Sequence, residues 1–511
     1  MKNPFTQCVV FYFLISLSAL AYADEIKIAY FTQDPPGIDP LSHSFDPDSY
    51  SVIAQIFDSL VYMDLDGNFK PALATSWKQV SQTQWHFTLR QGVKFHNGEA
   101  FNAEAVKFTF DYILNPKNNT GNRWIFNTLK SVKTIKGSPF EVIFETHFPD
   151  GMFLNRFHLF GSICPPGYIK SKGFQHFQNH PVGTGPFQFS QWQKGQQITL
   201  VKNERYWQSD IPHLSRIKYV FMPPSQWIEG FKNEQIDFIP NLSGNHTTKL
   251  MRSSMGKARI VKRPVLASYW ALLKNQGALA DISVRKALNL AVNKTDIIKF
   301  ADFGNAIPMA SLGKKGEFGA NPDLSPYEYD PQLATELLKK ANVKLPLRLK
   351  VLVADVAEPT AKIIQSNLRQ IGVHLNLEVV SRSEWARKIV VHKMVTGTSA
   401  DYDMVINFVD NPIYNIAFHA GLFLNSTSPW SLLDSPEFDA KFEHALKVAD
   451  PNLHQARLIA LDKYIHDNAL MIFTSQKIIT AAVRKKFDID KFGGNGHLGY
   501  EILSQAKVIQ Q

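Results

Sequence analysis

Three short stretches of the 511-residue chain carry residue types at spacings that chemistry uses. Ser254-Met255-Gly256-Lys257 has the Ser-x-x-Lys spacing in which a lysine activates a serine nucleophile. Its usual companions, Ser-Asp-Asn and Lys-Thr-Gly, are absent from the chain, as is a Gly-x-Ser-x-Gly elbow, so hydrolysis is not the expected activity. His176 and His180, spaced i, i+4, would offer a metal two imidazoles from one helical face. Gly173 and Pro181 close that segment and no acidic partner stands near, which predicts a surface turn. Gly183-Thr184-Gly185 has the look of a phosphate loop, but such a loop needs a following helix whose N-terminal amides bind the anion. Here Pro186 is followed by an alternating strand, so the stretch is expected to be a tight entry into a hairpin over 187–202.

Hydrophobic residues at 44% and charged residues at 20% describe an ordinary globular protein, long enough for two or three compact units. The net charge of +10 is spread along the chain without a Lys/Arg block, which argues against a nucleic-acid partner. Residues 1–23 stand apart: Lys2, an apolar run of 14 residues over 8–21, and Ala21-Tyr22-Ala23 as a small-x-small cleavage site. That run is shorter than the roughly 18–20 residues that span a bilayer, so it reads as a secretory signal cleaved after Ala23. Cys8 leaves with it and Cys164 remains alone, which excludes an intramolecular disulfide. A periplasmic location is expected.

The elements that position any site change character along the chain. From residue 26 to about 260 short alternating strands predominate. In "QWHFTLRQGVKFHNG" Trp85, Phe87 and Leu89 share one face, and Asn102 then caps a helix carrying Val106, Phe110 and Ile113 on one stripe. After about 264 helices and strands alternate: "SVRKALNLAV" is a helix with Val284, Ala287, Leu288 and Ala291 buried, and Asp330-Pro331 opens another. "LRLKVLV", "AKIIQSNLRQIG" and "VHLNLEVV" form a βαβ unit, and "ALMIFTSQKIITAAV" over 469–483 is expected to be a buried strand pair.

Several segments, in order, resemble the bacterial extracellular solute-binding proteins of family 5: "GIDP", "PALATSW", "FTLRQGVKFHNGEAFNAEAVKFTF", "PVGTGPF", "DISVRKALNLAVNK", "YDPQLATELLKKA", "NLRQIGV" and "NALMIFTSQ". The resemblance spans nearly all of the chain after the signal. It implies an α/β, two-lobed periplasmic binding protein fold of the large type, with an extra subdomain in lobe 1 and a hinge of two crossing segments. The expected division is 24–263 for lobe 1 with an inserted subdomain at about 45–175, 264–477 for lobe 2, and 478–511 returning to lobe 1. Its members are receptors of ABC importers and not enzymes. The expected partners are a peptide ligand and a membrane permease, with no cofactor, and the chain is expected to act as a monomer. A nickel or metal-complex receptor with His419 or His392 near the metal is the alternative within the fold.

The same resemblance nominates the ligand contacts. In peptide-binding members an aspartate after a "YDM" strand pairs with the peptide ammonium, which places the role on Asp410, against a plain Asx-turn before Asn411-Pro412. The Gly-Trp usual there is replaced by Asn407-Phe408. Trp385 matches a tryptophan lining side-chain pockets, while His392 stands where some members carry an arginine. Gln33-Asp34-Pro35-Pro36 would line the first lobe, its prolines lacking an N–H for a peptide backbone. Tyr269, Trp270 and Asn275 at the lobe crossing, with Tyr414 and His419 after Asp410, complete the expected set.

Overall fold

The structure, a computed structural model, describes residues 24–30, 34–42, 47–64, 67–118, 120–242, 244–253, 256–489 and 503–509. The expected export signal, Gln33 and Ser254 lie outside the described residues.

Strand β1 (Glu25–Tyr30) opens the main sheet, and the chain then leaves it to build a separate layer. That layer comprises helix Pro47–Ile56, the hairpin β2 (Val61–Met63) and β3 (Phe69–Pro71), and a four-stranded antiparallel sheet. The strands β4 (Ala74–Ser81), β5 (Gln84–Leu89), β6 (Leu129–Ile135) and β7 (Ser138–Thr146) stand in the order β4-β5-β7-β6. Trp85, Phe87 and Leu89 are buried and their strand neighbours less so, the period-2 pattern of a sheet with one covered face. The cover includes helix Ala103–Leu114, whose first turn is capped by Asn102 accepting from the Glu104 and Ala105 amides. Val106, Phe110 and Ile113 point inward from it.

The chain returns to the main sheet through β8 (Phe187–Gln193), β9 (Gln197–Lys202), β10 (Arg216–Phe221) and β11 (Phe238–Ile239). The turn between β8 and β9 carries Gly195 at φ 73°, a left-handed position that favours glycine. Then come β12 (Ala258–Leu273), β13 (Ala306–Pro308), β14 (Leu347–Ala354), β15 (Val373–Val380), β16 (Met404–Asp410) and β17 (Met471–Arg484). The main sheet has eleven strands: ten in the order β15-β14-β16-β12-β17-β11-β1-β10-β9-β8, with β13 added on β17. Strands β14 and β15 run parallel around helix Glu358–Arg369, as the hydrophobic periods predict, and Gly372 turns the chain between helix and strand at φ 79°.

Two long strands join the halves of this sheet. β12 and β17 pair antiparallel for most of their length, and their register breaks between Pro264 and Ser268 and again between Ser268 and Trp270. The expected lobe boundaries, 263/264 and 477/478, fall beside the Pro264–Ile478 pair inside these strands. The expected strand pair over 469–483 is instead this single strand of 14 residues. No glycine or proline interrupts it, so the chain crosses in one piece and absorbs the irregularity in its register.

The Gly-Thr-Gly stretch belongs to the packing between the layer of helix Pro47–Ile56 and the main sheet. The Gly185 amide donates to the Ile56 carbonyl at 2.8 Å. His96 donates from its backbone to the Gly183 carbonyl at 2.9 Å, and its Nδ1 accepts the Gly183 amide at 3.3 Å. With Nδ1 accepting, Nε2 carries the proton and donates to the Gly185 carbonyl at 3.0 Å. Thr184 Oγ1 donates to Asp58 Oδ2 at 2.9 Å, and Tyr206 and Trp207 donate to the same carboxylate at 3.0 Å each.

Candidate functional site at the carboxyl ends of the parallel strands

Strands β14, β15 and β16 run parallel and end together at Ala354, Val380 and Asp410. Ligands of open α/β sheets bind outside such ends, where the backbone stops pairing and side chains point into a crevice. Asp410 is the last residue of β16 and pairs with Ala267 of the crossing strand β12, so its half-buried carboxylate stands at the junction of site and crossing. The next residue makes an Asx-turn: Asn411 Oδ1 accepts the Ile413 amide at 3.0 Å.

Four of the expected residues meet here. The Asp410 carbonyl accepts from His419 Nε2 at 3.0 Å, and the His419 ring lies 5.0 Å from Trp270 and 5.4 Å from Phe423. Trp270 in turn stands edge-on to Phe423 at 3.8 Å. Trp385, buried in helix Arg382–Ala386 just beyond β15, joins the same aromatic layer through Trp430 at 6.0 Å. The indole N–H groups of Trp270 and Trp385 are both buried without a hydrogen-bond partner among the described residues.

Burial, reinforced by the neighbouring Lys314 ammonium, holds His419 well below the usual imidazole range, so the ring is neutral. Its Nδ1 faces Lys314 Nζ at 3.4 Å, which leaves neither nitrogen for a metal. Among the described residues no three His, Cys, Asp or Glu side chains converge as a metal site would require. His176 and His180 stack at 4.4 Å with 10° between their planes, so their nitrogens do not converge.

The remaining expected residues lie elsewhere. Tyr269 and Trp270 are neighbours in β12 and therefore point to opposite faces of the sheet. Tyr269 faces Phe408 at 5.0 Å and the Lys477 ammonium at 5.1 Å, and burial with the nearby Asp302 pushes its phenol up to about 12. Asn275 lies beyond Leu273, the end of β12 opposite to Ala267 and Asp410. It exchanges two hydrogen bonds with the Asp434 backbone, at 2.6 and 2.9 Å, and is a loop staple. Asp34 spends both carboxylate oxygens on the β8–β9 hairpin, accepting from Trp192 Nε1 at 2.6 Å and the Gly195 amide at 2.9 Å. Tyr414 has the left-handed φ of 64° and buries its ring against Met63 and Leu266. His392 is exposed, lining an open hollow of about 590 Å³ with Lys350, Glu378 and Tyr402.

The sequence reading missed a buried polar group behind Asp410. Lys314, Glu317 and Gln476 are all buried, and Asn411 donates to Glu317 Oε1 through its amide. "Gly-Lys-Lys-Gly-Glu" over 313–317 reads as a solvated loop, and no local signal marks two of its charges as core residues.

A large mixed sheet bent around two crossing strands, with a carboxylate and aromatic side chains where its parallel strands end, defines a two-lobed solute-binding protein. The chain matches the model of bacterial extracellular solute-binding proteins, family 5, over residues 68–415, and belongs to that family. It is a binding protein and not an enzyme. It is 27% identical over 494 residues to the nickel-binding periplasmic protein of Escherichia coli, covering 88% of this chain and 89% of the relative. It is 25% identical over 457 residues to the glutathione-binding protein GsiB of Pectobacterium atrosepticum, covering 86% of each. In fold it is similar to HbpA2 from Haemophilus parasuis, with a TM-score of 0.81, 20% identity, and 95% and 100% of the two chains covered. It is similar also to the periplasmic binding protein DppA from Helicobacter pylori in complex with the peptide STSA, with a TM-score of 0.75, 22% identity, and 95% and 98% covered.

Proposed function

We propose that this chain is the periplasmic receptor of an ABC importer, exported by cleavage after Ala23, that captures a peptide between its lobes and delivers it to a membrane permease. Lobe 1 comprises 24–263, with the subdomain at about 45–175, and 478–511; lobe 2 comprises 264–477. The observation that carries this reading is the Asp410 carboxylate at the C-terminal end of β16, beside the crossing strand β12. A peptide ammonium buried by lobe closure needs a charged partner, because a desolvated charge left unpaired costs several kcal/mol, on the order of 3–5. Trp385 and Trp270 bring to the same layer indole N–H groups that have no partner among the described residues. Contacts shared by both lobes shift the hinge towards closure, whereas contacts confined to one lobe shift nothing. Reading the site for nickel has less support, since both nitrogens of His419 are engaged.

The test is a thermal-shift screen of the mature protein against tripeptides, their N-acetylated forms and nickel salts. Free-amine tripeptides should raise the melting temperature, N-acetylated ones should not, and Asp410→Asn should abolish the difference. Equal responses to both peptide classes defeat the Asp410 assignment, and a response to nickel alone defeats the peptide reading.

A further inference from the structure

The side chain of Lys314 is buried in a loop that begins after β13 and passes behind β16. Its ammonium has three donors and three acceptors around it: His419 Nδ1 at 3.4 Å, the Leu312 carbonyl at 3.5 Å and Glu317 Oε2 at 3.7 Å. The contact to His419 fixes a proton. A lysine ammonium only donates, so Nδ1 must be the bare nitrogen, and Nε2 then carries the hydrogen that the Asp410 carbonyl accepts. Without Lys314 the Asp410 carbonyl alone holds the hydrogen on Nε2, and Nδ1 loses its donor, so the preference for this tautomer weakens.

The same loop grips the residue after β16 and both crossing strands. Glu317 accepts from the Asn411 side-chain amide, and Asn411 donates its backbone N–H to the Leu266 carbonyl at 2.8 Å. Beside it the Lys315 amide donates to Gln476 Oε1 at 3.0 Å. Gln476 Nε2 donates to the Lys315 carbonyl at 3.1 Å and to the Val265 carbonyl at 3.2 Å. Val265 and Gln476 flank the register break between β12 and β17. One loop thus holds Asp410 and Asn411 from below and clasps the two strands where their ladder is interrupted.

We infer that Lys314 is a positioning residue of the Asp410 site, acting through His419, and that its loop couples this site to the crossing strands. The role assigned to the ligand rests on the peptide reading above; the coupling itself does not. A ligand that pulls on Asp410 moves a carbonyl bonded to His419, and through Lys314 and Lys315 the displacement reaches Gln476. His419 is faced by Lys314, Asp410 and the rings of Trp270, Phe418 and Phe423, with Glu317 and Asp462 beyond Lys314.

The experiment compares mature wild type with Lys314→Met, Lys314→Arg and His419→Gln, first without ligand. Histidine nitrogen NMR, with the His419 signal assigned by its loss in His419→Gln, should show a neutral ring protonated at Nε2 from pH 5 to 8. Lys314→Met should convert it to a tautomer mixture or let it protonate in that range, and Lys314→Arg should restore the wild-type signal. Hydrogen exchange at β12 and β17 amides near Val265 and Gln476 should rise at least tenfold in Lys314→Met. Unchanged ring signals and unchanged exchange overturn the inference. With trialanine as the probe, Lys314→Met should weaken binding tenfold and His419→Gln, which keeps a donor for the carbonyl, less than threefold. Equal losses in both variants overturn the positioning role. Failure of wild type to bind trialanine counts against the peptide reading, while the ligand-free measurements still decide the coupling. Should Lys314→Met not fold, the wild-type tautomer decides it: an Nδ1-protonated wild-type ring overturns it.

Discussion

Gly183 lies under the carbonyl oxygen of Ile56, so close that a Cβ on it would stand 2.0 Å from that oxygen and 2.8 Å from the ring of Phe57. Gly185 meets the same turn, with its Cβ position 2.5 Å from the Ile56 carbonyl carbon. Neither contact is with the end of a flexible side chain, so alanine forces backbone apart. Gly183→Ala should cost at least about 3 kcal/mol, at the upper end for single substitutions. Gly195→Ala, at a left-handed turn with open space around it, should cost only about 1 kcal/mol. Urea unfolding measures both. Equal costs would mean that backbone conformation, and not close approach, is why this stretch needs glycine.

His96 ties acid sensitivity to the same stretch. Burial, set against its bond to the Gly185 carbonyl, pulls its imidazole from 6.5 down to about 4, and its Nδ1 is occupied as an acceptor. A lowered folded value means that the unfolded chain binds the proton first. The contribution is therefore complete above about pH 6.5 and is lost as the pH falls through 4, roughly 3 kcal/mol in all. The stability advantage of wild type over His96→Gln should shrink by that order between pH 7 and pH 4. An advantage constant with pH would show that His96 titrates normally.

What the sequence made legible was what is written in local periods. The cap at Asn102, the alternation of Trp85, Phe87 and Leu89, and the helix between β14 and β15 each depend on neighbours within a few residues. Tyr269 and Trp270 were both expected in the ligand set, yet as neighbours in β12 they point to opposite faces of the sheet. Asn275 stands at the other end of the β12–β16 pairing from Asp410, because the length of β12 decides which end of the sheet it reaches, and strand ends are set by pairing partners far along the chain. The Lys314–His419 contact spans 105 residues and the Gln476–Val265 contact 211, and no sequence period encodes either.

Asn275 and Asp34 supply a control for the site. Their side chains close local structure: Asn275 with the Asp434 backbone, Asp34 with Trp192 and Gly195. Asn275→Ala should cost about 1–3 kcal/mol of stability, the worth of two hydrogen bonds partly replaced by water. It should leave tripeptide affinity within twofold of wild type, and Asp34→Ala should behave alike. A tenfold loss of affinity in either, measured by calorimetry on folded protein, would return that residue to the ligand site.

The layer built on β4–β7 also touches the far half of the molecule, and closure should depend on that contact. Asn155 donates to the Ile413 carbonyl at 3.0 Å, Gly151 donates its amide to the Leu446 carbonyl at 3.3 Å, and Trp124 stacks on Phe418 at 5.8 Å. A Cβ on Gly151 would stand 2.5 Å from the His454 ring, whose nitrogens are held by Asn415 and the Ala445 carbonyl. A ring held at both nitrogens cannot step aside, so Gly151→Val should push the 446–454 segment away from this layer. Buried apolar residues of this layer and of the 413–465 region form one continuous cluster, so the expected result is a larger radius of gyration by X-ray scattering together with a loss of stability. Tripeptide affinity should fall, because the population competent to close is reduced and apparent affinity falls with it. An unchanged radius of gyration with unchanged affinity would show that the contact follows closure without contributing to it.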